Sequence, residues 1–266
     1  MTRPRKGHGL VLDLAYDVAG DGPPLVILHG LFGSARNWRG IAAGLAGRYR
    51  VFTLDLRNHG DSPWDPEMSY EAMADDVRAF LAAQDIAGAA VLGHSMGGKA
   101  AMTLALAHPD AVGALIVADV APVSRPPSLR AYVRAMAAID LAQVSRRAEA
   151  DRILATAIED RRIRAFLLQN LVMREGRAAW RLNLEVIDRE MEVIGGFPEP
   201  LLERHFDGPT HFIIGASSDY VEPGHRALIL RLFPNTTLSV IGGAGHWVHA
   251  EKPESFLRAV ERFLDK

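Results

Sequence analysis

The chain has 266 residues, of which 48% are hydrophobic and 23% charged, so it is long enough to bury one large core and a smaller accessory element. Its formal net charge of −2 leaves no basic surplus for a nucleic-acid partner, and the lack of cysteine excludes disulfides, thiolate metal sites and cysteine nucleophiles. The N-terminal stretch carries Asp13 and Asp17 where a secretory segment would be apolar, and no apolar run reaches transmembrane length, so we expect a cytoplasmic protein without a membrane partner.

Short aliphatic or β-branched runs recur along the chain, and their continuous apolar character predicts strands that are buried on both faces. These runs are residues 24–30, 50–55, 89–95, 114–119, 210–215 and 237–242. Segments with helical spacing separate them, most clearly residues 69–84, with Ser69 as a candidate N-cap, and residues 96–109. The alternation predicts an α/β protein with a mostly parallel sheet.

This alternation stops between Val123 and Phe206, where amphipathic helices follow one another without a convincing strand. The pattern predicts an α/β core made of residues 1–122 and 207–266, interrupted by an all-helical cap at residues 123–206. The many Arg and Glu residues of this cap are interpreted as solvated helix faces.

The motif GHSMGG at residues 93–98 fits GxSxG, with a predicted strand before it and a helix after it. A nucleophile on a sharp strand-to-helix turn needs neighbours without Cβ atoms, a requirement that Gly93 and Gly97 meet. This context favours Ser95 as a nucleophile over the alternative of a plain turn in which Ser95 caps the helix.

A serine nucleophile needs a histidine base and a group that fixes the imidazole tautomer. His246 follows the last predicted strand in a glycine-rich loop and is preferred to His249, which lies three residues nearer the C-terminal helix. The two histidines could instead bind a metal, but no cysteine or carboxylate cluster stands at ligand spacing, so no metal is expected.

The loop HGLFG at residues 29–33 follows a predicted strand directly and is glycine-rich, as a loop that approaches a substrate carbonyl must be. We expect the backbone N–H groups of Leu31 and Met96 to form an oxyanion hole, with Phe32 as the alternative to Leu31. His29 is interpreted as a structural histidine that holds this loop.

Six motifs in this order extend over nearly the whole chain: HGLFGS, DLRNHGDSP, GHSMGGK, DVAPV, WRLNL and GAGHWVHAEKP. Together they resemble the serine α/β-hydrolases, and especially the small bacterial YbfF-type esterases and their mitochondrial relatives. The resemblance implies an α/β-hydrolase fold: an eight-stranded, mostly parallel sheet with helices on both faces and a helical cap inserted after the sixth strand.

The resemblance also bears on the acid of the triad. In most of the superfamily this acid follows the seventh strand, three residues after a Gly, where the present chain has Ser218, and Asp219 comes one residue late. In the YbfF-type subgroup a serine similarly occupies that position and the acid ends the sixth strand, which corresponds to Asp119. Both positions are physically possible because the strand ends converge beside the nucleophile. Burial of an unpaired carboxylate would be costly, which favours Asp119, with Ser218 as a hydrogen-bonding neighbour and Asp219 as the alternative acid.

Further residues are assigned to supporting roles. The polar cluster of Asp55, Arg57, His59 and Asp61 is interpreted as a structural loop braced by Arg57 and Gly60, as the family likeness suggests. Candidates to line an acyl pocket are Trp180 and Asn183 in the cap, together with Phe32, Tyr220 and Trp247, although composition alone also fits core positions.

These features predict a hydrolase that needs no cofactor and cleaves carboxylic esters or thioesters of small to medium acyl groups through a Ser-His-Asp triad and an acyl-enzyme. The expected partner is a small-molecule acyl ester or thioester, and the chain is expected to be a monomer or homodimer. Three alternatives stay open: a cofactor-free haloperoxidase or perhydrolase, a C–C bond hydrolase, and a non-catalytic small-molecule receptor.

Overall fold

A computed structural model describes residues 10–126, 128–174 and 176–265. The remaining positions of the predicted core and cap, residues 1–9, 127, 175 and 266, lie outside the described residues. The strands, in chain order, are β1 Tyr16–Ala19, β2 Pro24–Leu28, β3 Arg50–Leu54, β4 Ala89–His94, β5 Val112–Ala118, β6 Leu171–Arg174, β7 Arg177–Trp180, β8 Thr210–Gly215 and β9 Thr236–Ile241.

The helices in the described part of the chain are α1 Arg39–Leu45, α2 Tyr70–Ala83, α3 Met96–Ala107, α4 Arg130–Ala137, α5 Arg147–Leu154, α6 Arg161–Leu167, α7 Leu184–Arg189, α8 Met191–Gly195, α9 Arg226–Leu232, α10 Val248–Glu251 and α11 Pro253–Leu264. The side chain of Ser69 accepts a hydrogen bond from the Ala72 N–H and caps α2 as predicted. None of the described helices combines the length and the apolar character that a membrane crossing requires.

The main sheet has the strand order β1-β3-β2-β4-β5-β8-β9, in which β1 is antiparallel to β3 and all other neighbours are parallel. Both faces of its central strands are buried. Along β2, Val26 and Leu28 pack into the cluster on the α2 and α3 face, whereas Leu25 and Ile27 pack with residues of α1 and α11. This two-sided burial explains why the strands appear in the sequence as continuous apolar runs.

The described residues form seven strands in this sheet, whereas the family resemblance implies eight. Before β1, two backbone N–H groups within residues 10–15 donate to side chains and not to a neighbouring strand. The Leu12 N–H donates to Asp76 Oδ1 at 2.8 Å, and the Ala15 N–H donates to Ser62 Oγ at 2.9 Å. Because side chains satisfy these amides, residues 10–15 add no strand, and the insertion follows the fifth of the described strands instead of the sixth.

The insertion between β5 and β8 is mostly helical but contains the antiparallel hairpin β6–β7, so the prediction of an all-helical segment is wrong there. Each hairpin strand has four residues, which is too short for alternation to be distinguished from helical spacing. Gly176, with φ +77°, lies directly before β7. Leu182, two residues after β7, forms an isolated antiparallel β-bridge with His59 and so joins the chain after the hairpin to the core.

Candidate active site

Ser95 occupies the turn between β4 and α3, at the centre of the sheet. Its backbone has φ +53° and ψ −119°, a conformation that non-glycine residues rarely adopt and that lifts the side chain above the strand end. The Ser95 N–H donates to the Ala118 carbonyl at 3.1 Å, which fixes the turn to the neighbouring strand β5.

The glycines around this turn are required by contact distances. A Cβ atom on Gly93 would lie 2.1 Å from the Gly97 carbonyl oxygen, and one on Gly97 would lie 2.4 Å from the Leu28 carbonyl oxygen. Both contacts are with backbone atoms that cannot move aside. The GxSxG spacing therefore permits the close packing of β4, α3 and β2 that exposes Ser95 to the space above the sheet.

His246 follows β9 and lies between Ser95 and Asp119. Its Nε2 atom is 3.1 Å from Ser95 Oγ, and its Nδ1 atom is 2.8 Å from Asp119 Oδ2. Of the sequence-predicted residues, Ser95, His246 and Asp119 are thus brought together by the loops after β4, β9 and β5. A hydroxyl, an imidazole and a carboxylate in this order can transfer the hydroxyl proton to the imidazole.

Asp119 is fully buried and its two oxygens accept three hydrogen bonds. Oδ1 accepts from the Gly215 N–H at 2.9 Å, while Oδ2 accepts from the hydroxyl of Ser218 at 2.5 Å and faces His246 Nδ1. Asp119 also has φ +52°, so that its side chain turns from the end of β5 toward β8. Ser218 is therefore held against the carboxylate.

Asp219, the alternative acid, lies away from the imidazole hydrogen-bond chain. Its side chain is 74% exposed and pairs with Arg125 at 2.9 Å. The hydrogen bond from this guanidinium lowers the pKa of the Asp219 carboxyl. Tyr220, the next residue, stacks on the His246 ring with centroids 3.6 Å apart and limits the directions in which the imidazole can turn.

His249 is buried at the wall of the same cavity and forms no hydrogen bond with Ser95; its ring stacks on Trp38 with centroids 4.1 Å apart. Burial lowers its pKa to about 3, and burial also holds the pKa of His94 well below its usual range. His94 bonds the His246 carbonyl through Nε2 at 2.9 Å and so supports the loop that carries His246. Both buried rings are therefore uncharged at neutral pH.

The loop after β2 places Leu31 and Phe32 beside Ser95. The Phe32 N–H donates to His59 Nε2 at 3.4 Å, whereas the N–H groups of Leu31 and Met96 meet no protein acceptor among the described residues. Two free N–H groups beside a nucleophile can hold the negative oxygen of a tetrahedral intermediate. The geometry therefore favours Leu31 over Phe32 as the partner of Met96.

Two buried histidines hold the loop after β2 in place. His29 donates from Nδ1 to the Gly30 carbonyl at 2.8 Å and accepts from the Leu56 N–H at 2.9 Å; burial lowers its pKa to about 4. His59, whose pKa burial lowers to about 3, supports the loop from its other side. From the insertion, the buried Asn170 donates to the Phe32 carbonyl at 2.8 Å.

The polar side chains of the cluster after β3 form hydrogen bonds and ion pairs with other groups of the protein. Asp55 accepts from the Ala35 and Asp61 N–H groups, both at 2.7 Å, and Arg57 forms a buried pair with Asp76 at 2.7 Å. A Cβ atom on Gly60 would lie 2.0 Å from the Asp55 carboxylate. No group of three or more metal-ligating side chains occurs within the part of the chain that the structure describes.

A cavity of about 330 Å³ opens beside Ser95, within the range of small-molecule sites. Of the aromatic residues considered in the sequence, Phe32, Tyr220 and Trp247 line this cavity, whereas Trp180 is not in its wall and packs against the hydrophobic core. Asn183 does not line the cavity either; it caps the N-terminus of α7. The apolar side chains from the insertion that line the cavity are Leu129, Tyr132, Ile163, Phe166 and Leu167.

No motif or spacing in the sequence distinguishes these insertion residues, or Asn170 and Arg125, as parts of the site. Helical periodicity indicates that positions such as Ile163 and Phe166 are apolar and turned inward. It does not distinguish a core position from a cavity wall, because both need the same residue types.

Comparison with known proteins agrees with this architecture. The model of the α/β hydrolase fold family matches residues 23–253. The sn-1-specific diacylglycerol lipase ABHD11 of Mus musculus is 42% identical over 264 residues, which cover 95% of this chain and 85% of that protein. The esterase YbfF of Escherichia coli strain K12 is 39% identical over 246 residues, with 91% and 93% coverage.

A solved structure described as a marine microorganism esterase is also similar. It superposes with a TM-score of 0.91 at 37% identity, covering 95% of this chain and 99% of its own. The family match, the relatives and the fold therefore agree that this chain belongs to the α/β hydrolase family.

Proposed function

We propose that this chain, an ester-cleaving α/β hydrolase, acts on carboxylic esters or thioesters of small to medium acyl groups and forms an acyl-enzyme on Ser95. The observation that carries the proposal is the continuous hydrogen-bonded chain from Ser95 Oγ through His246 to the buried Asp119, placed at the wall of an apolar cavity. A buried carboxylate against Nδ1 fixes the tautomer that leaves Nε2 free to accept the serine proton.

The first half-reaction forms the acyl-enzyme. Ser95 Oγ attacks the carbonyl carbon while His246 Nε2 takes the hydroxyl proton, and Asp119 stabilises the resulting imidazolium. The N–H groups of Leu31 and Met96 hold the oxyanion. His246 then gives its proton to the leaving alcohol or thiol as the bond from carbon to the leaving group breaks.

In the second half-reaction, His246 removes a proton from water, the resulting hydroxide attacks the acyl carbon, and Ser95 Oγ leaves with that proton as the carboxylic acid is released. The acyl group would lie in the cavity against side chains such as Phe166 and Trp247. We further propose that residues 123–206 act as a cap, because side chains from this insertion form one wall of the cavity.

The decisive experiment compares the wild type with Ser95→Ala on p-nitrophenyl and thioester substrates of graded acyl length. We expect Ser95→Ala to abolish turnover and labelling by a fluorophosphonate probe while the circular dichroism spectrum stays that of the wild type. Retained turnover in Ser95→Ala would refute the assigned nucleophile. Failure of the wild type to react with the probe would instead favour a non-catalytic receptor.

A further inference from the structure

A second, smaller cavity of about 60 Å³ also adjoins Ser95, and we name it the side chamber. It meets the larger cavity at Leu31, Ser95, Leu129 and Tyr220, which line both. Its remaining wall includes Met96, Lys99 and Arg125. One water needs about 15 Å³ by this kind of measure, so the side chamber has room for a group of a few heavy atoms.

Lys99 is a charged residue in the wall of this chamber and lies on α3, one helical turn after Ser95. The residue is only 4% exposed. Its Nζ atom donates to the carbonyl oxygens of Gly195 at 2.8 Å and Gly196 at 2.6 Å, and it lies 5.8 Å from the centre of the Tyr70 ring. An ammonium has three N–H donors, so one N–H is left without a protein acceptor among the described residues.

The charge of Lys99 is also unbalanced. No carboxylate in the described part of the chain forms an ion pair with it. Arg125, the other cation of the chamber, is paired with Asp219 at 2.9 Å and stacks over the Tyr220 ring at 4.4 Å. Burial lowers the pKa of Lys99 to about 8, so the ammonium is still mostly protonated at pH 7.

A buried cation without a counter-charge is unfavourable, and an anion in hydrogen-bonding reach removes the penalty. We propose that the side chamber is a carboxylate subsite, in which Lys99 binds a carboxylate group of the substrate beside the scissile carbonyl. This inference rests on the proposed function, because it assigns part of the substrate of the same site. A carboxylate fits the volume, and its oxygens accept the free N–H of Lys99.

The carboxylate could belong to the acyl part or to the alcohol part of the ester, and two matched substrate pairs separate these sources. Monoethyl succinate and its neutral isostere ethyl succinamate test the acyl side. Carboxymethyl butanoate and carbamoylmethyl butanoate test the alcohol side. In each pair a carboxylate is exchanged for an amide of nearly equal shape, so only the charge differs.

For the wild type we expect kcat/KM at pH 7 to favour the carboxylate over the amide at least tenfold in one pair. In Lys99→Met this ratio should fall at least tenfold. Tyr70→Phe is the matched control: Tyr70 also lines the side chamber and donates to the Ile194 carbonyl, so this change keeps the ring, perturbs the same segment as Lys99 and removes no charge. Its ratio should stay within twofold of the wild type.

Two results would overturn the subsite. The first is a wild-type ratio of kcat/KM, carboxylate over amide, of one or less in both pairs. The second is an equal loss of kcat/KM on the carboxylate and the amide in Lys99→Met, which would mean that Lys99 only holds residues 195–196 in place. If Lys99→Met does not fold, the wild-type ratio decides alone. Calorimetric binding of each pair to Ser95→Ala separates the two proposals, since preferential binding of the carboxylate does not require turnover. Hydrolysis that persists in Ser95→Ala would refute the proposed function instead.

Discussion

Replacement of Asp119 by Asn is the most informative perturbation of the proposed triad, because every hydrogen bond of this side chain is known. Three donors converge on its carboxylate: the Gly215 N–H on Oδ1, and the Ser218 hydroxyl and His246 Nδ1–H on Oδ2. An amide has one oxygen and one NH2 group, so Asn must place its NH2 group against a former donor.

The environment decides which donor the amide nitrogen meets. The Gly215 N–H belongs to the backbone of β8 and cannot become an acceptor, so it retains the amide oxygen. The Ser218 hydroxyl can rotate and His246 can change tautomer, and both can accept from the NH2 group. The His246 proton then moves to Nε2, which faces Ser95 and can no longer act as a base.

We therefore expect Asp119→Asn to lower kcat by about 10⁴-fold, the size of effect typical of a wrong histidine tautomer, or about 5.4 kcal/mol at 1.36 kcal/mol per factor of ten. Asp219→Asn is the control. Asp219 is 74% exposed, and loss of its surface ion pair with Arg125 should reduce kcat less than about fivefold.

Both variants should be assayed on p-nitrophenyl butyrate at pH 7.5, with thermal unfolding as the check that the fold is intact. The reasoning fails if Asp119→Asn retains more than a tenth of the wild-type kcat. It also fails if Asp219→Asn is the variant that loses several orders of magnitude, since the exposed carboxylate would then be the acid.

Three further predictions concern neighbouring residues. Ser218→Ala removes one charge-assisted hydrogen bond from Asp119 and should lower kcat/KM by about 10- to 100-fold, the range expected for 1.5–3 kcal/mol; an unchanged kcat/KM would remove Ser218 from the site. Phe166→Ala opens the acyl cavity, so the acyl length with the highest kcat/KM should increase in a p-nitrophenyl ester series, and an unchanged optimum would place the chain elsewhere. Folding lowers the pKa of His249 from 6.5 to about 3, so its contribution to the stability of the wild type is full above pH 6.5 and is lost as the pH falls toward 3. His249→Phe keeps a ring against Trp38 but removes this titrating group. Urea unfolding at pH 7.5 and 5 should show the variant losing about 2 kcal/mol less than the wild type over this interval, and equal losses would contradict the assignment.

The sequence predicted the parts of the fold and site that depend on local chemistry. The strand runs, the Ser69 cap and the GxSxG turn have residue requirements that are visible within a few positions. The placement of Asp119 beside His246 required the family resemblance, because which loops meet above the sheet depends on strand order. The hairpin β6–β7 was missed because its strands are four residues long.

The cavity wall could be predicted least. Trp180 and Phe166 are both aromatic residues in the insertion, but only Phe166 reaches the cavity. The direction of each side chain depends on how the insertion docks on the core, and periodicity along one helix carries no information about that. The place of Lys99 beside the site could not be predicted either, because its hydrogen-bond partners are backbone carbonyls, which any sequence supplies.

The hydrogen bond from Asn170 to the Phe32 carbonyl limits how this scaffold can be engineered. The insertion shapes the cavity and also fixes the carbonyl of Phe32, the residue after Leu31, whose N–H is a proposed oxyanion donor. An exchange of residues 123–206 for the corresponding segment of another hydrolase would alter substrate selectivity and the rate of the chemical step together. A grafted segment that preserves an amide donor at this position would separate the two effects, so selectivity could then be redesigned without loss of rate.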